Sequence, residues 1–316
     1  MLTTKTLTEL RIIAKKKQLP GYSTLDKSEL IRYIKTGHRP KSNSFNRFFN
    51  KIYVINLKGK QERWTRVHSA FRRRGIKVER FEAVDGRCKG KQCENKRRQF
   101  EKEYNIKIPK KGLNLPSSSL LIGTILILRE MVKNKWDHVL ICEDDIVLGR
   151  DVKAKFAQGV RELNKAKPNW DLLYLGCGNK CGVAGISESR NTHSRYLSEV
   201  SKHYPDQDPW YVARKDDLRG LCNDDDDDED EDYYCPVISK HLSIAPNPKG
   251  TWCYGYSLKG AKKFLKYVDN HIDDHVDQLL SKAVIDGKLV AVAFNPPIVW
   301  HYLGASRPDS DIAWEW

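Results

Sequence analysis

The pattern of apolar and polar residues predicts alternating strands and helices from residue 51 onward. "KIYVINL" at 51–57 is a short, nearly continuous run of β-branched and apolar residues, typical of a strand covered on both faces. An amphipathic helix follows, with Trp64, Val67 and Phe71 at helical spacing. The alternation recurs in "VERFEAVDG", "SLLIGTILILREMVKNK", "HVLICEDDIVL", "KAKFAQGVRELNK", "WDLLYLGCG", "GTWCYGYSLKGAKKFLKYV", "DDHVDQLLSKAV" and "LVAVAFNPPIVWH". It predicts an α/β domain over residues 51–316, with a largely parallel sheet that binds ligands beyond the carboxyl ends of its strands.

Two segments of this domain show no clear periodicity of apolar residues. Residues 88–114 are strongly basic, and we expect them to form an irregular excursion over the surface. Residues 177–250 are predicted to form an insertion of loops, which includes an acidic loop at 222–235. The acidic run at 224–232 favours an extended, solvated chain because adjacent like charges repel, so any ion would be held only diffusely.

The first 36 residues form a separate predicted unit of two short helices. Apolar residues recur at helical spacing in "TLTELRIIAKKKQ" and "TLDKSELIRYIKT", and "LPGYS" breaks the pattern between them. This pattern resembles the small Rho N-terminal-like or SAP-like modules, in which a basic helical hairpin contacts nucleic acid. Contact with nucleic acid and contact with protein both stay open for residues 1–36. Residues 37–50 mix Gly, Pro, Ser and Asn with basic residues and are predicted to be a linker.

The charge balance points to anionic partners. The formal net charge is +15, and without the nine acidic residues at 224–232 it would be +24. Such a surface attracts polyanions and anionic small molecules. No stretch approaches the roughly 18 consecutive apolar residues of a membrane span, and the first residues lack the apolar centre of a signal peptide. We therefore expect no membrane span and a cytoplasmic location.

The eight cysteines include no CxxC motif, so a zinc site is not expected. Cys142 lies within an apolar strand pattern and is predicted to be a buried thiol. Cys177 and Cys181 could form a bridge or bind a metal, but unpaired reduced thiols are the expected state in a cytosolic chain.

Three consecutive carboxylates, Glu143, Asp144 and Asp145, lie at the end of the apolar run "HVLIC". Because side chains alternate along a strand, Glu143 and Asp145 are predicted to share a face while Asp144 points to the other. Two carboxylates about 7 Å apart along a strand can share a hard divalent ion, which predicts Mg²⁺ or Mn²⁺ with water and substrate phosphate completing its shell. A loop start or a helix N-cap would use the same acids without a metal, and the triplet alone leaves both interpretations open.

An ordered set of short motifs carries a family resemblance over about residues 51–312. The motifs are "INLKGKQER", "ERFEAVDG", "HVLICEDDIV", "WDLLYLG", "YGYSLKGAKKFL", "DDHVDQLL" and "FNPPIVWH". Together they resemble glycosyltransferase family 25, the lipooligosaccharide and collagen galactosyltransferase group. The resemblance implies a GT-A type nucleotide-sugar transferase domain with a Rossmann-like sheet, and a metal bound between an acidic motif and the donor diphosphate.

The resemblance also implies a metal site. Residues 143–145 take the position of the acidic motif, so Glu143 and Asp145 are expected to hold Mn²⁺ or Mg²⁺. His301, directly after the "PPIVW" strand, would be the third ligand, and a neutral imidazole suits Mn²⁺ better than Ca²⁺. An ordinary histidine at a strand end is the alternative.

Three residues are expected to contact the nucleotide donor. Asn56 and Arg63 match the opening motif of the family, and Asp144 joins them from the acidic motif. An arginine beside a diphosphate has a clear physical use, because its fork pairs two oxygens. An arginine on a helix surface is the alternative. Asp85, in "AVDG", is interpreted as a turn residue, since Asp-Gly favours turns.

The resemblance further implies inverting catalysis. One carboxylate would remove the proton of the acceptor hydroxyl while the metal stabilises the departing nucleotide diphosphate. Asp277, in "DDHVDQLL", occupies the matching acidic position, with Asp274 in reserve; helix N-capping is the alternative role of Asp274. One feature departs from the family. Many members carry a Ser-His pair on the helix before the acidic motif, where this chain has Gly123 and Thr124.

The leading hypothesis is a metal-dependent inverting glycosyltransferase that moves galactose or glucose from a UDP-sugar to a hydroxyl of a glycan, glycolipid or collagen-like protein. The alternative is a nucleic-acid-binding protein whose degenerate transferase domain is only a scaffold, as the charge of +15 and the hairpin suggest. A metal-dependent phosphoesterase would need further His and Asp clusters. A collagen-type transferase behind a Rho-like hairpin is similar to arrangements encoded by large DNA viruses, which would place the protein in the host cytoplasm or the virion.

Overall fold

A computed structural model gives the fold of the chain. It describes residues 2–20, 22, 27–37, 44–109, 114–166, 168–176, 237–245, 247, 248, 250–272 and 274–301. The acidic loop predicted at 222–235, Cys177, Cys181 and the tail after His301 lie outside the described residues.

The predicted N-terminal hairpin is confirmed. Helix α1 spans Leu7–Lys16 and helix α2 spans Lys27–Thr36. Thr6 begins α1 with a capping box, in which its hydroxyl accepts the backbone N–H of Glu9 while the Glu9 carboxylate accepts that of Thr6. The two helices share a small core of their own, which consists of Leu10, Ala14, Leu30, Tyr33 and Ile34.

The linker predicted over residues 37–50 is wrong for its second half. Helix α3 spans Ser44–Phe48, and Phe45 and Phe49 are buried in the core of the α/β domain. Phe45 stacks on Phe156, with ring centroids 3.9 Å apart. A helix of five residues is too short to show an apolar period, so its anchoring aromatic residues are the only sequence signal.

An eight-stranded sheet forms the centre of the α/β domain. In spatial order its strands are β2 (Glu79–Glu82), β1 (Lys51–Asn56), β3 (His138–Glu143), β8 (Cys253–Ser257), β5 (Leu172–Gly176), β9 (Ala291–Phe294), β7 (Leu242–Ile244) and β6 (Val237–Ser239). Strand β1 pairs in parallel with β2 and β3, and β5 with β9, whereas β8 and β7 run antiparallel to their neighbours. Six of the eight strands therefore point the same way. This confirms the predicted α/β class and agrees with the expected GT-A type domain.

Helices cover both faces of this sheet. Those on the first face are α5 (Lys91–Tyr104), α6 (Leu115–Asn134), α8 (Leu258–Val268) and α9 (Val276–Ile285). The second face carries α3 together with α4 (Gln61–Arg73) and α7 (Val152–Ala166). Strand β1 shows the division, because Tyr53 and Ile55 pack on the first face and Ile52 and Val54 on the second.

Helix α6 is the central helix of the first face. By length and composition alone it could cross a membrane, with a mean hydropathy of 1.4 over its most apolar window, but 67% of that window is buried inside the protein. It packs against α5, α8 and α9. Asn114 begins α6, and its side-chain oxygen accepts the backbone N–H of Ser117. These contacts are those of a core helix.

The irregular course predicted for residues 88–114 is wrong, because the segment contains α5, which buries Phe100. A disulfide joins Cys88 to Cys93 across the start of this helix, with Cα atoms 5.1 Å apart, a separation that a disulfide can span. The expectation of reduced, unpaired thiols is therefore wrong for this pair. Cys142 is a buried free thiol, as predicted.

Candidate functional site

The carboxyl edge of the sheet carries an open pocket at the ends of β1, β2 and β3. Five predicted site residues line it: Asn56, Arg63, Glu143, Asp144 and Asp145. Its opposite wall consists of residues 83–87, which follow β2, and of the first two turns of α6. A crevice at the carboxyl ends of parallel strands is where sheets of this class bind ligands.

The acidic triplet does not continue the strand before it. Strand β3 ends at Glu143, Asp144 and Asp145 form a turn, and a separate strand β4 spans Ile146–Leu148. All three carboxylates line the pocket. The prediction that Asp144 points away from the other two is wrong, because alternation of side chains holds only within an extended strand.

Asp144 anchors a buried polar network and is only 7% exposed. One carboxylate oxygen accepts a hydrogen bond from Asn56 Nδ2 at 2.5 Å, and the other accepts one from Arg63 Nη1 at 3.1 Å. Asn56 Nδ2 also donates to the carbonyl of Lys60 at 3.1 Å. Asp144 thus ties the end of β1 to the start of α4, and it fixes the other two donor-binding candidates.

Arg63 pairs with two members of the acidic triplet. Besides its bond to Asp144, its Nη2 lies 3.7 Å from Asp145 Oδ2. The side chain is 12% exposed, so the alternative of a helix-surface arginine is wrong. The guanidinium offsets the mutual repulsion of two neighbouring carboxylates. Its contact with a nucleotide stays a prediction.

Glu143 is held by a residue that precedes β8. Its Oε1 accepts a hydrogen bond from Thr251 Oγ1 at 2.8 Å. Sequence reasoning missed Thr251, which lies 108 residues further along the chain and has no motif of its own. Burial raises the pKa of the Tyr254 hydroxyl, and the negative charges of Glu143 and Asp277 raise it further. A predicted metal ligand and the predicted base therefore lie near the same buried tyrosine.

The two candidate bases have different surroundings. Asp277 lies in the first turn of α9, outside the pocket wall. Asp274 accepts a hydrogen bond from Lys282 Nζ at 2.6 Å. Although burial opposes the change, the bonds from Lys282 and from the N–H of His275 lower the pKa of Asp274. The carboxylate of Asp274 is thus engaged by Lys282, which favours Asp277 as the base. The N-cap of α9 is His275, so Asp274 does not fill that role.

His301 ends strand β10 (Val299–His301), which pairs antiparallel with β4. Its backbone lies opposite Ile146, the residue directly after Asp145, so the topology brings it beside the acidic triplet as the metal prediction requires. Its side chain lies outside the described part of the structure.

At the position of the family Ser-His pair, the Thr124 hydroxyl lies 3.2 Å from that of Tyr254, and both are buried.

The oxygen ligands in the pocket are of the type that the expected metal binds. Glu143 and Asp145 offer carboxylate oxygens, the hard ligands that Mg²⁺ and Mn²⁺ take. Within the described ranges, no three His, Cys, Asp or Glu side chains are grouped so as to hold a metal ion. The chemistry of the residues fits a hard divalent cation, provided that His301, water or ligand oxygens complete the shell. The metal site stays a prediction.

Asp85 forms a turn and also lines the pocket. Its carboxylate accepts the backbone N–H of Arg87 at 3.0 Å and two bonds from the Arg87 guanidinium at 2.9 and 2.7 Å. These bonds from Arg87 lower the pKa of Asp85 to about 2. The available sequence signal was the place of "AVDG" directly after a strand, at the edge where ligands bind.

Replacing Gly86 by Ala is expected to destabilise the pocket wall. A Cβ at this position would lie 2.1 Å from Ser119 Oγ and 2.3 Å from the carbonyl oxygen of Leu115, so residues 83–87 would have to move away from α6. We expect the free energy of unfolding to fall by about 2 kcal/mol, as measured by urea denaturation.

Gly123→Ala is the matched control for this change. Gly123 lies in the middle of α6, and a Cβ there would meet its nearest atoms at 3.6 and 3.8 Å, an ordinary contact distance. Because alanine is a better helix former than glycine, we expect no loss of stability. Equal stability of Gly86→Ala and the wild type would contradict the tight contact of the loop with α6.

Two family models match the chain. A model described as "Glycosyltransferase family 25 (LPS biosynthesis protein)" matches residues 49–280, and one described as "Rho termination factor, N-terminal domain" matches residues 1–38. Procollagen galactosyltransferase 2 of Mus musculus is 24% identical over 129 residues, which are 40% of this chain and 21% of that protein. A glycosyltransferase 25 family member of Aedes aegypti is 30% identical over 129 residues, with the same coverage.

Another glycosyltransferase 25 family member, from Anopheles gambiae, is 28% identical over 151 residues, which are 48% of this chain and 24% of that protein. The chain thus spans about a fifth to a quarter of the length of these curated relatives. Among solved structures, a mannose-1-phosphate geranyltransferase from Thermus thermophilus matches with a TM-score of 0.32 and 8% identity, over 78% of this chain and 73% of that one. A likeness this weak carries no functional conclusion.

Proposed function

The chain belongs to glycosyltransferase family 25, as its ordered motifs predict, and from this premise we propose that it transfers a hexose from a nucleotide-sugar donor to an acceptor hydroxyl. The observation that carries the proposal is the pocket, where the end of β1, the first turn of α4 and the end of β3 bring Asn56, Arg63 and the acidic triplet together.

The proposed donor is UDP-galactose or UDP-glucose. The pocket has an apolar part that suits a flat base, with Ile55, Val84 and Leu120 in its wall. Asn56 Oδ1 is buried and has no hydrogen-bond partner among the described residues. Because both bonds of Asn56 Nδ2 go to acceptor oxygens, the orientation of the amide is fixed. An N–H or O–H of the bound nucleotide would satisfy this oxygen.

Glu143 and Asp145, with His301, are the residues proposed to hold Mn²⁺ or Mg²⁺. When bound, such an ion supplies positive charge that stabilises the leaving diphosphate. The chain itself orients these side chains, because Thr251 holds Glu143 and Arg63 lies beside Asp145. These contacts orient the two carboxylates in the pocket.

Asp277 is proposed as the base that removes the proton of the acceptor hydroxyl, in a reaction that inverts the anomeric centre. It is preferred to Asp274, whose carboxylate is paired with Lys282. The proposed acceptor is a glycan, a glycolipid or a collagen-like protein. The family description names lipopolysaccharide biosynthesis, and one relative is named for procollagen.

The hairpin at residues 1–36 has a separate proposed role, in contact with nucleic acid or protein. Its similarity to the Rho N-terminal domain and the exposed residues Lys15, Lys16 and Lys17 at the end of α1 favour this role. A degenerate transferase scaffold is the less favoured alternative, because the polar network around Asp144 is intact and converges on the pocket.

Binding of UDP tests the proposed function. At a UDP concentration about 100 times the Kd, in the presence of Mn²⁺, preferential binding to the native state adds about 2.7 kcal/mol and raises Tm by roughly 5 °C. Differential scanning fluorimetry with UDP, ADP and GDP, each with Mn²⁺ or EDTA, measures this. No shift with any nucleoside diphosphate would contradict the proposed donor.

A further inference from the structure

Two Lys-Gly-Lys tripeptides follow the carboxyl ends of neighbouring strands. Residues 58–60 come directly after β1, and residues 89–91 come after β2 and the pocket loop 83–87. Strands β1 and β2 pair in parallel, so both tripeptides lie on the edge of the sheet that carries the pocket. Leu57 and Arg87, close before the two tripeptides, are part of the pocket wall.

The tripeptides approach the pocket from opposite faces of the sheet. Residues 58–60 lead into α4, which packs on the second face, and residues 89–91 lead into α5, which packs on the first. The two tripeptides therefore flank the sheet edge that carries the pocket.

Three of the four lysines in these tripeptides present positive charge to solvent. Lys58, Lys89 and Lys91 are exposed, and none has an ion-pair partner among the described residues. A Cβ built on Gly59 or Gly90 would meet no atom within 4 Å, so the surroundings are open. Residues 85–98 contain six basic residues and only two acidic ones, Asp85 and Glu94. Both acidic side chains are already paired with arginines.

Both tripeptides are held in place by neighbouring groups. Arg80 Nη2 donates to the carbonyls of Leu57 and Lys58 at 3.1 and 3.2 Å. The Cys88–Cys93 disulfide encloses the second tripeptide, and Lys96 Nζ donates to the carbonyl of Arg87 at 2.8 Å. The backbone that carries these lysines therefore loses little entropy when a ligand binds.

We infer that these lysines form a cationic clamp for an anionic acceptor, namely a saccharide that carries carboxylate, phosphate or sulfate groups near the hydroxyl it offers. The inference rests on the proposed function, since it names the acceptor class of the same pocket. Glu143, Asp144 and Asp145 line the pocket itself, and the lysines follow the wall residues Leu57 and Arg87, so positive charge lies next to an acidic pocket.

The composition of the rim favours a saccharide over an acidic polypeptide. Protein interfaces draw their affinity from buried aromatic and apolar anchors. Both tripeptides consist of lysine and glycine, and the large exposed apolar residues of the described chain, Ile12 and Ile285, lie in α1 and at the end of α9. Ammonium groups on flexible stems suit scattered anionic groups on a hydrophilic ligand.

The test compares two charge-reversal variants of the full chain. The clamp variant is Lys58→Glu/Lys89→Glu/Lys91→Glu. The control variant is Lys133→Glu/Lys165→Glu/Lys288→Glu, which changes the charge by the same amount. These exposed lysines lie at the opposite edge of the sheet, in the last turns of α6 and α7 and just before β9. Calorimetry measures the binding of a heparin-derived hexasaccharide and of neutral maltohexaose, each with UDP and Mn²⁺ present, at low and at physiological salt.

The wild type is expected to bind the charged hexasaccharide more tightly than maltohexaose, and less tightly as salt rises. The clamp variant is expected to lose about tenfold or more in affinity for the charged probe, while the control variant stays within roughly twofold of the wild type. Equal losses in both variants, or equal affinity of the wild type for both probes, would overturn the inference.

Two further measurements separate the competing outcomes. Tighter binding of poly-glutamate than of the charged hexasaccharide would assign the clamp to an acidic polypeptide and overturn the saccharide class. The thermal shift with UDP is recorded for each variant. Its loss in the clamp variant would assign the lysines to the donor diphosphate, which also overturns the inference. If the wild type shows no thermal shift with UDP but still binds the hexasaccharide through these lysines, the proposed donor is rejected and the clamp is supported.

Discussion

Asp144→Ala is expected to lower the free energy of unfolding by about 3 kcal/mol, because removal of one partner of a buried ion pair leaves the other charge unpaired. The Arg63 guanidinium, 12% exposed, would lose its bond at 3.1 Å, and the Asn56 amide would lose its bond at 2.5 Å. Asp145, at 3.7 Å from Arg63, compensates only in part. Guanidinium chloride denaturation followed by circular dichroism measures the change.

Asp151→Asn is the surface control for Asp144→Ala. Asp151 directly precedes α7 and pairs with Lys155 at 3.4 Å, and its side chain is 49% exposed. Because asparagine caps a helix as well as aspartate does and exposed pairs contribute little, we expect a change below about 0.5 kcal/mol. The double variant Arg63→Ala/Asp144→Ala is expected to recover part of the loss, since it removes both charges. A loss below about 1 kcal/mol in Asp144→Ala would contradict its anchoring role.

The sequence predicts the framework of this site correctly, because the framework depends on local patterns. Short apolar runs predict β1, β3 and β5, and helical spacing predicts α4, α6 and α7. Since parallel strands end at one edge, the motifs that follow β1 and β3 were expected to meet. The structure brings Asn56 and Arg63 together with the acidic triplet in one pocket.

Features that depend on tertiary contacts could not be predicted in this way. The turn at Asp144 and Asp145 interrupts a run whose composition favours one continuous strand. Thr251 reaches Glu143 only because β8 lies beside β3 in the sheet, and strand order across 108 residues leaves no local pattern. The tight contact of Gly86 with α6 likewise requires the packing of a loop against a distant helix.

Asp145→Asn is expected to remove sugar transfer while the fold persists. Asp145 lines the pocket beside Arg63, and it is one of the two described carboxylates proposed to hold the cation. Loss of that charge stabilisation corresponds to roughly 3 kcal/mol in the transition state, about a hundredfold in rate. Asp144 keeps its bonds to Asn56 and Arg63, so the free energy of unfolding should change by less than about 1 kcal/mol.

The most direct test of the central claim measures transfer of radiolabelled sugar to an acceptor. The donors are UDP-galactose and UDP-glucose with Mn²⁺, and the acceptors are a pool of glycans, glycolipids and collagen-like proteins. Wild-type protein and Asp151→Asn are expected to transfer label at equal rates, EDTA to stop the reaction, and Asp145→Asn to reduce it about a hundredfold. Transfer by Asp145→Asn at the wild-type rate, or no transfer by the wild type from either donor to any acceptor, would contradict the assignment of this pocket to glycosyl transfer.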